Sequence, residues 1–220
     1  MAAAKVKALL ETSRFDKAIL PQLEKFIDDS SNYDLEVHLA TLKLYQFHPD
    51  ELKTPTVAKV LMKALMRLPQ SDFLACTYLV PERVLDAEPI SHIISVAALL
   101  ERCQFREFWE ALAPLATQKA ALPDFDASVR AFMLRTLEIT YQSVPVAHVR
   151  ASLGLADAKA VAALVDARKW QLAGDVYKVA LNEDNAAKPK RAQDAGEAMG
   201  SMQMSKALAS VAAAACATSP

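Results

Sequence analysis

In 220 residues, 25 basic side chains are matched by 26 acidic ones, so the bulk charge offers no strong attraction to nucleic acid or anionic membranes. With 53% hydrophobic residues, much of it alanine, the chain can bury a substantial core as one large domain or two small ones. No apolar run approaches the roughly 20 residues of a membrane-spanning helix, and "MAAAKVKALLETSRF" lacks the long apolar stretch of a secretory signal.

Glycine punctuates the chain. Its four glycines stand at 154, 174, 196 and 200, so the first 153 residues have none. Tight hairpins and phosphate-cradling loops favour glycine, and a long segment without it fits helices separated by proline instead. Helices are expected at about 2–12, 17–29, 33–47, 55–68, 71–81, 90–101, 104–119 and 124–143. Asp16 is placed to cap the second, with Pro21 near its start. Thr54 before Pro55 reads as a cap with a proline at the first helical position, and Ser71 before Asp72 as another cap.

The third helix carries two apolar faces. Leu35, Leu39 and Leu42 mark one, while Val37, Ala40, Leu44 and Phe47 mark the other. Helix starts near 17, 55 and 90 lie roughly 35–38 residues apart, the period of a helix–turn–helix solenoid whose inner helices touch two neighbours. A buried helix in an ordinary bundle is the alternative.

Past Pro145 the pattern changes. A short helix, a Gly154 turn and a second helix from about Asp157 to Arg168 precede two strand-like runs, "KWQLA" and "VYKVA", separated by Gly174-Asp175. Helix, helix, then hairpin is the order of a winged-helix module. The organisation expected is a helical domain over 1–144, a small α+β winged-helix domain over 145–181, and a polar, then alanine-rich tail over 182–220. In that tail Met204, Leu208 and Val211 keep helical spacing.

No constellation of catalytic or metal-binding residues emerges. His38, His48, His92 and His148 are dispersed, and the glycine-rich and serine-nucleophile motifs are missing. Cys76, Cys103 and Cys216 are odd in number, far apart and without a C-x-x-C pair, as for reduced thiols in the cytoplasm. No enzyme activity, cofactor or metal is expected. The second helix of the winged-helix segment offers only Lys159 and Arg168, too few basic groups to read DNA. The apolar hairpin is better suited to extend another protein's sheet, through Trp170, Leu172, Val176, Tyr177 and Val179, with Met204, Leu208 and Val211 as further partner-binding candidates.

Four stretches carry a likeness. "YDLEVHLATLKLYQFHP" (33–49), "LMKALMRLPQSDF" (61–73), "LLERCQFREFWEAL" (99–112) and "DFDASVRAFMLRTLEITYQ" (124–142) resemble subunit K of eukaryotic translation initiation factor 3 across about 14–145. In the winged-helix part the likeness rests on element order and on "KW" at 169–170, and the alanine-rich tail departs from the family pattern. The resemblance implies a HEAT-like helical-repeat domain followed by a winged helix, related to PCI modules. It also implies a non-catalytic subunit that pairs with other initiation factor 3 subunits, chiefly subunit L, and meets the small ribosomal subunit through the complex. A nucleic-acid-binding regulator, or a PCI-type subunit of a proteasome-lid-like or signalosome-like assembly, are the alternatives.

Overall fold

The structure is a computed structural model and describes residues 2–186. Its helices are α1 (Ala2–Ser13), α2 (Leu20–Asp28), α3 (Leu35–Phe47), α4 (Thr54–Leu65), α5 (Asp72–Leu79), α6 (Glu82–Leu85), α7 (Ile90–Glu101), α8 (Phe105–Ala111), α9 (Ala116–Ala120) and α10 (Phe125–Thr140). Strand β1 (Ser143–Pro145) follows, then α11 (Val146–Leu153), α12 (Ala158–Asp166), β2 (Gln171–Ala173) and β3 (Val176–Lys178). Contacts divide the chain into two units after Ala180, and all of these elements lie in the first.

Every helix expected within the described residues is present, with differences that have local causes. The helix expected at 104–119 is two, because Pro114 has no N–H to donate and turns Ala113–Leu115 into a 3-10 segment. The second helix likewise opens with a 3-10 turn, Lys17–Ile19, where Asp16 accepts a hydrogen bond from the Ala18 N–H at 2.9 Å. Thr54 is the first residue of α4 rather than its cap, since Lys53 holds the extended cap position. Ser71 stands at the cap position of α5, but its side chain makes no capping bond. The short α6 and the strand β1 were not expected. β1 begins just ahead of the expected boundary at 145.

The inner helix is α4. From Thr56 to Leu65 only Lys59 escapes burial, and α4 touches α2, α3, α5, α7 and α9. α3 is also used on several sides, against α1, α2, α4 and α5, with Val37, Ala40, Leu42, Leu44 and Tyr45 buried. Phe47, assigned to its second apolar face, is instead exposed.

Polar groups lock this core. Lys63 of α4 is buried and donates to the carbonyls of Asp29 at 2.5 Å and Asn32 at 2.8 Å, so a cation meets the C-terminal end of α2. Burial lowers the Lys63 pKa to about 8. The Tyr45 hydroxyl donates to Glu24 at 2.7 Å, whose other oxygen meets Lys53 at 2.6 Å. Tyr33 donates to Asp72 at 2.5 Å and lies edge-on to the His38 ring, 4.8 Å away. His38 is wholly buried and neither ring nitrogen has a hydrogen-bond partner. Burial first, and then the charge of Lys63, lower its pKa to about 4 against the opposing pull of Asp34 and Asp72.

A second lock joins α8, α10 and α11. The Trp109 indole N–H donates to the Ser152 carbonyl at 2.9 Å, and Arg130 lies over the indole at 4.9 Å while donating to the Leu153 carbonyl at 3.0 Å. Gly154 caps α11 at φ +61°, and a Cβ added there would meet the Trp109 ring at 2.8 Å. Further along α10, Glu138 accepts from Arg168 at 2.7 Å and from the Trp170 indole at 3.3 Å.

Three outcomes follow for stability. Gly154→Ala adds a left-handed alanine and an overpacked contact, together about 3 kcal/mol by urea unfolding. Gly174→Ala has a similar backbone angle, φ +66°, but open space around it, and loses only the left-handed cost of about 1–2 kcal/mol. Because the unfolded chain protonates His38 near pH 6.5 and the native chain only near 4, stability present at neutral pH falls as pH drops through that window. The loss is on the order of 3 kcal/mol, and His38→Phe flattens that part of a chemical-denaturation series run from pH 7 to 4.

Candidate interaction surface

The C-terminal sheet is antiparallel, in the order β1-β3-β2. Val144, Tyr177 and Leu172 pair across it in one row, as do Ser143, Lys178 and Gln171, and Pro145, Val176 and Ala173. Side chains paired across strands share a face. The first row is therefore the core-facing one, and the other two point away. Turn bonds hold the ends: the Val146 N–H donates to the Asp175 carbonyl and the Val179 N–H to the Gln142 carbonyl, each at 3.0 Å.

Along the core-facing row, exposure rises from 0% at Val144 to 5% at Tyr177 and then to 64% at Leu172. Leu172 thus lies on the apolar side of the sheet but beyond what the helices cover. Its strand, β2, is an edge, and among the described residues no strand pairs with its outer side. An uncovered edge with an apolar side chain is a surface able to receive another strand.

The partner-binding candidates separate accordingly. Trp170 and Tyr177 are buried and meet edge-on at 6.3 Å, with the Trp170 indole N–H directed to Glu138. Val179 is buried as well, and Val176 is half-buried on the outward face. Trp170, Tyr177 and Val179 therefore belong to the module's own core, and Leu172 is the member the fold leaves outside. Met204, Leu208 and Val211 lie outside the described residues.

Arg168, one of two basic groups noted on the second helix of this segment, is committed to Glu138 and to the Ala131 carbonyl. Lys159 is exposed in the first turn of α12, where Asp157 accepts from its backbone N–H at 2.9 Å. Of these two groups only Lys159 extends into solvent, while Arg168 is held against α10. Among the described residues no cluster of three or more His, Cys, Asp or Glu is arranged to hold a metal ion. His92 meets the Ala111 carbonyl at 3.0 Å and His148 stacks edge-on against Tyr141. Cys76 is buried, which raises its thiol pKa to about 12 and leaves it no nucleophile at neutral pH. No helix among the described residues is long and apolar enough to cross a membrane.

Sequence reasoning missed β1 and the residues that orient the module, Trp109, Arg130 and Glu138. Three residues are too few for period-2 alternation to show, and long-range partners leave no local pattern. The apolar Val144 between Ser143 and Pro145 was the available signal.

A family model described as the CSN8/PSMD8/EIF3K family matches residues 51–191. Eukaryotic translation initiation factor 3 subunit K from Homo sapiens is 36% identical over 141 residues, 63% of this chain and 65% of the human protein. The chain thus spans just under two thirds of that relative's length. The subunit K proteins of Anopheles gambiae and Danio rerio are 31% and 32% identical over 180 and 187 residues, covering 80% and 84% of this chain and 81% and 85% of theirs. The chain belongs to the CSN8/PSMD8/EIF3K family, with eukaryotic translation initiation factor 3 subunit K proteins as its relatives.

Proposed function

We propose that this chain is a non-catalytic structural subunit of eukaryotic translation initiation factor 3, working in the cytoplasm. In this reading, residues 1–144 are a HEAT-like helical-repeat domain, residues 145–181 a winged helix, and the two together a PCI-type subunit. It docks to other PCI subunits, chiefly a subunit-L-like protein, and supports initiation complexes on the small ribosomal subunit. Relatives named subunit K that match over four fifths of their length support the assembly. The order β1, α11, α12, β2, β3 supports the winged helix.

The observation that carries the docking mode is the exposed Leu172 on the unpaired edge strand β2. A strand added there continues the row Val144–Tyr177–Leu172 and covers Leu172, while main-chain hydrogen bonds provide affinity. Burying one leucine contributes about 2 kcal/mol. The nucleic-acid alternative is disfavoured by the use of Arg168 in holding the module to α10.

The test is affinity purification of the tagged protein from its native lysate with nuclease present. Other initiation factor 3 subunits are expected, with a subunit-L-like protein in near-equal amount. Leu172→Asp is expected to reduce that recovery at least tenfold without lowering the thermal midpoint, because the side chain is already in solvent. Recovery of nuclease-sensitive nucleic acid and no factor subunits would overturn the reading.

A further inference from the structure

We infer that the exposed Phe15–Phe47 pair, with Lys43 beside it, is a docking site for a segment of a partner protein that sets a single carboxylate beside a large apolar anchor residue. This inference rests on the reading that the chain works inside a multi-protein assembly, and it concerns a surface separate from the β2 edge.

Phe15, in the connection between α1 and α2, is 65% exposed, and Phe47, the last residue of α3, is 52% exposed. Their rings meet edge-on, with centroids 6.0 Å apart and planes at 67°, so ring faces are left to solvent. Gln46, next to Phe47, donates to the Leu79 carbonyl at 3.0 Å, and the neighbouring Tyr78 is 77% exposed on α5. Phe15 and Phe47, from separate parts of the chain, thus meet outside the core, and Tyr78 is exposed on the helix to which Gln46 is bonded. A clustered aromatic surface of this kind marks an interaction site more often than a scatter of single apolar residues does.

Charge selects the occupant. The Lys43 ammonium stands 5.1 Å from the centre of the Phe47 ring and donates to the Gln46 side-chain carbonyl at 2.9 Å, both neutral partners. No carboxylate stands three or four residues away from it on α3. The other cations of this face have acids at hand. Arg14 meets Glu36 at 3.0 Å and Lys17 meets Glu51 at 2.6 Å, while Arg83, bonded to the Pro49 carbonyl, has Glu82 and Asp50 adjacent to it and to Pro49 in the chain. Among the described cations beside the aromatic pair, Lys43 is the one whose partners are both neutral.

The same carboxylates decide between an aromatic shelf for RNA bases and one for a peptide. A nucleic acid strand would bring phosphates past Glu36, Asp50, Glu51 and Glu82, and neutralisation of phosphates is what drives such binding. A protein segment needs only one carboxylate at Lys43. A leucine, methionine or phenylalanine beside that carboxylate covers both ring faces and desolvates the lysine over Phe47.

The test places the photo-crosslinker p-benzoylphenylalanine at position 15 of the full-length chain. The assembly is purified under native conditions and irradiated, and the linked peptide is identified by mass spectrometry. The expected result is one segment of one other subunit, with a large apolar residue at the crosslink and an Asp or Glu within about one helical turn. Lys43→Glu is expected to lower that yield about fivefold, and Phe47→Ser to abolish it, while the recovered subunits stay the same because the β2 edge is untouched. Crosslinks to RNA, to a second copy of this chain, to unrelated segments of several subunits, or to nothing would overturn the inference and leave the subunit reading standing. Failure to recover any assembly would remove both.

Discussion

The contact on which the arrangement of this molecule depends is the seating of α11 on Trp109. The indole lies under Gly154, donates to the Ser152 carbonyl, and is covered on its ring by Arg130, which reaches on to the Leu153 carbonyl. Three helices meet there, and a Cβ at position 154 would crowd the indole at 2.8 Å. Glu138, two turns further along α10, adds Arg168 and Trp170 to the same support. The small sheet is therefore fixed to α10 by side chains at both ends of the C-terminal module, so the proposed docking edge at β2 has one orientation relative to α10. Rigid placement of that edge is what the proposed docking role requires.

The helical layers meet a different constraint, that of turning without glycine. Between α2 and α3 the chain reverses through Asp29–Asp34, and side chains supply what a glycine turn would otherwise leave to the backbone. The Asp29 carboxylate accepts from the Ser31 N–H and hydroxyl and from the Asn32 amide, while Lys63 takes the carbonyls of Asp29 and Asn32. Burying an ammonium is costly, and the lowered pKa of Lys63 records that cost. It is offset by the charge-assisted hydrogen bonds to these two carbonyls, which tie the turn to α4.

Much of this was legible in the sequence, and the reasons divide cleanly. Helix existence is a local property: 3.6-residue apolar spacing, prolines between segments and an aspartate cap at Asp16 all reappear where expected. Gly154 and Gly174 announced their turns because both adopt left-handed backbone. Long-range events were not legible. That Trp109 would sit under Gly154, or that Arg168 would turn to Glu138 and away from solvent, depends on residues 30 to 45 positions away. Phe47 illustrates the limit of periodicity, since its spacing places it on an apolar face but the helix ends there and the side chain meets Phe15 and Lys43 at the surface. For the hairpin, alternation identified apolar candidates but could not say which lay under helices, and only Leu172 of the core-facing row proves uncovered.

The account's central claim is that β2 is an open edge in the free chain and a paired one in the assembly. Hydrogen–deuterium exchange, followed by mass spectrometry on the free protein and on the purified assembly, reads that difference directly. The account predicts that amides of Gln171–Ala173 become strongly protected on assembly, while those of β1, already supported by β3 and the helices, change little. Equal exchange of β2 in both states, with protection appearing elsewhere, would contradict it.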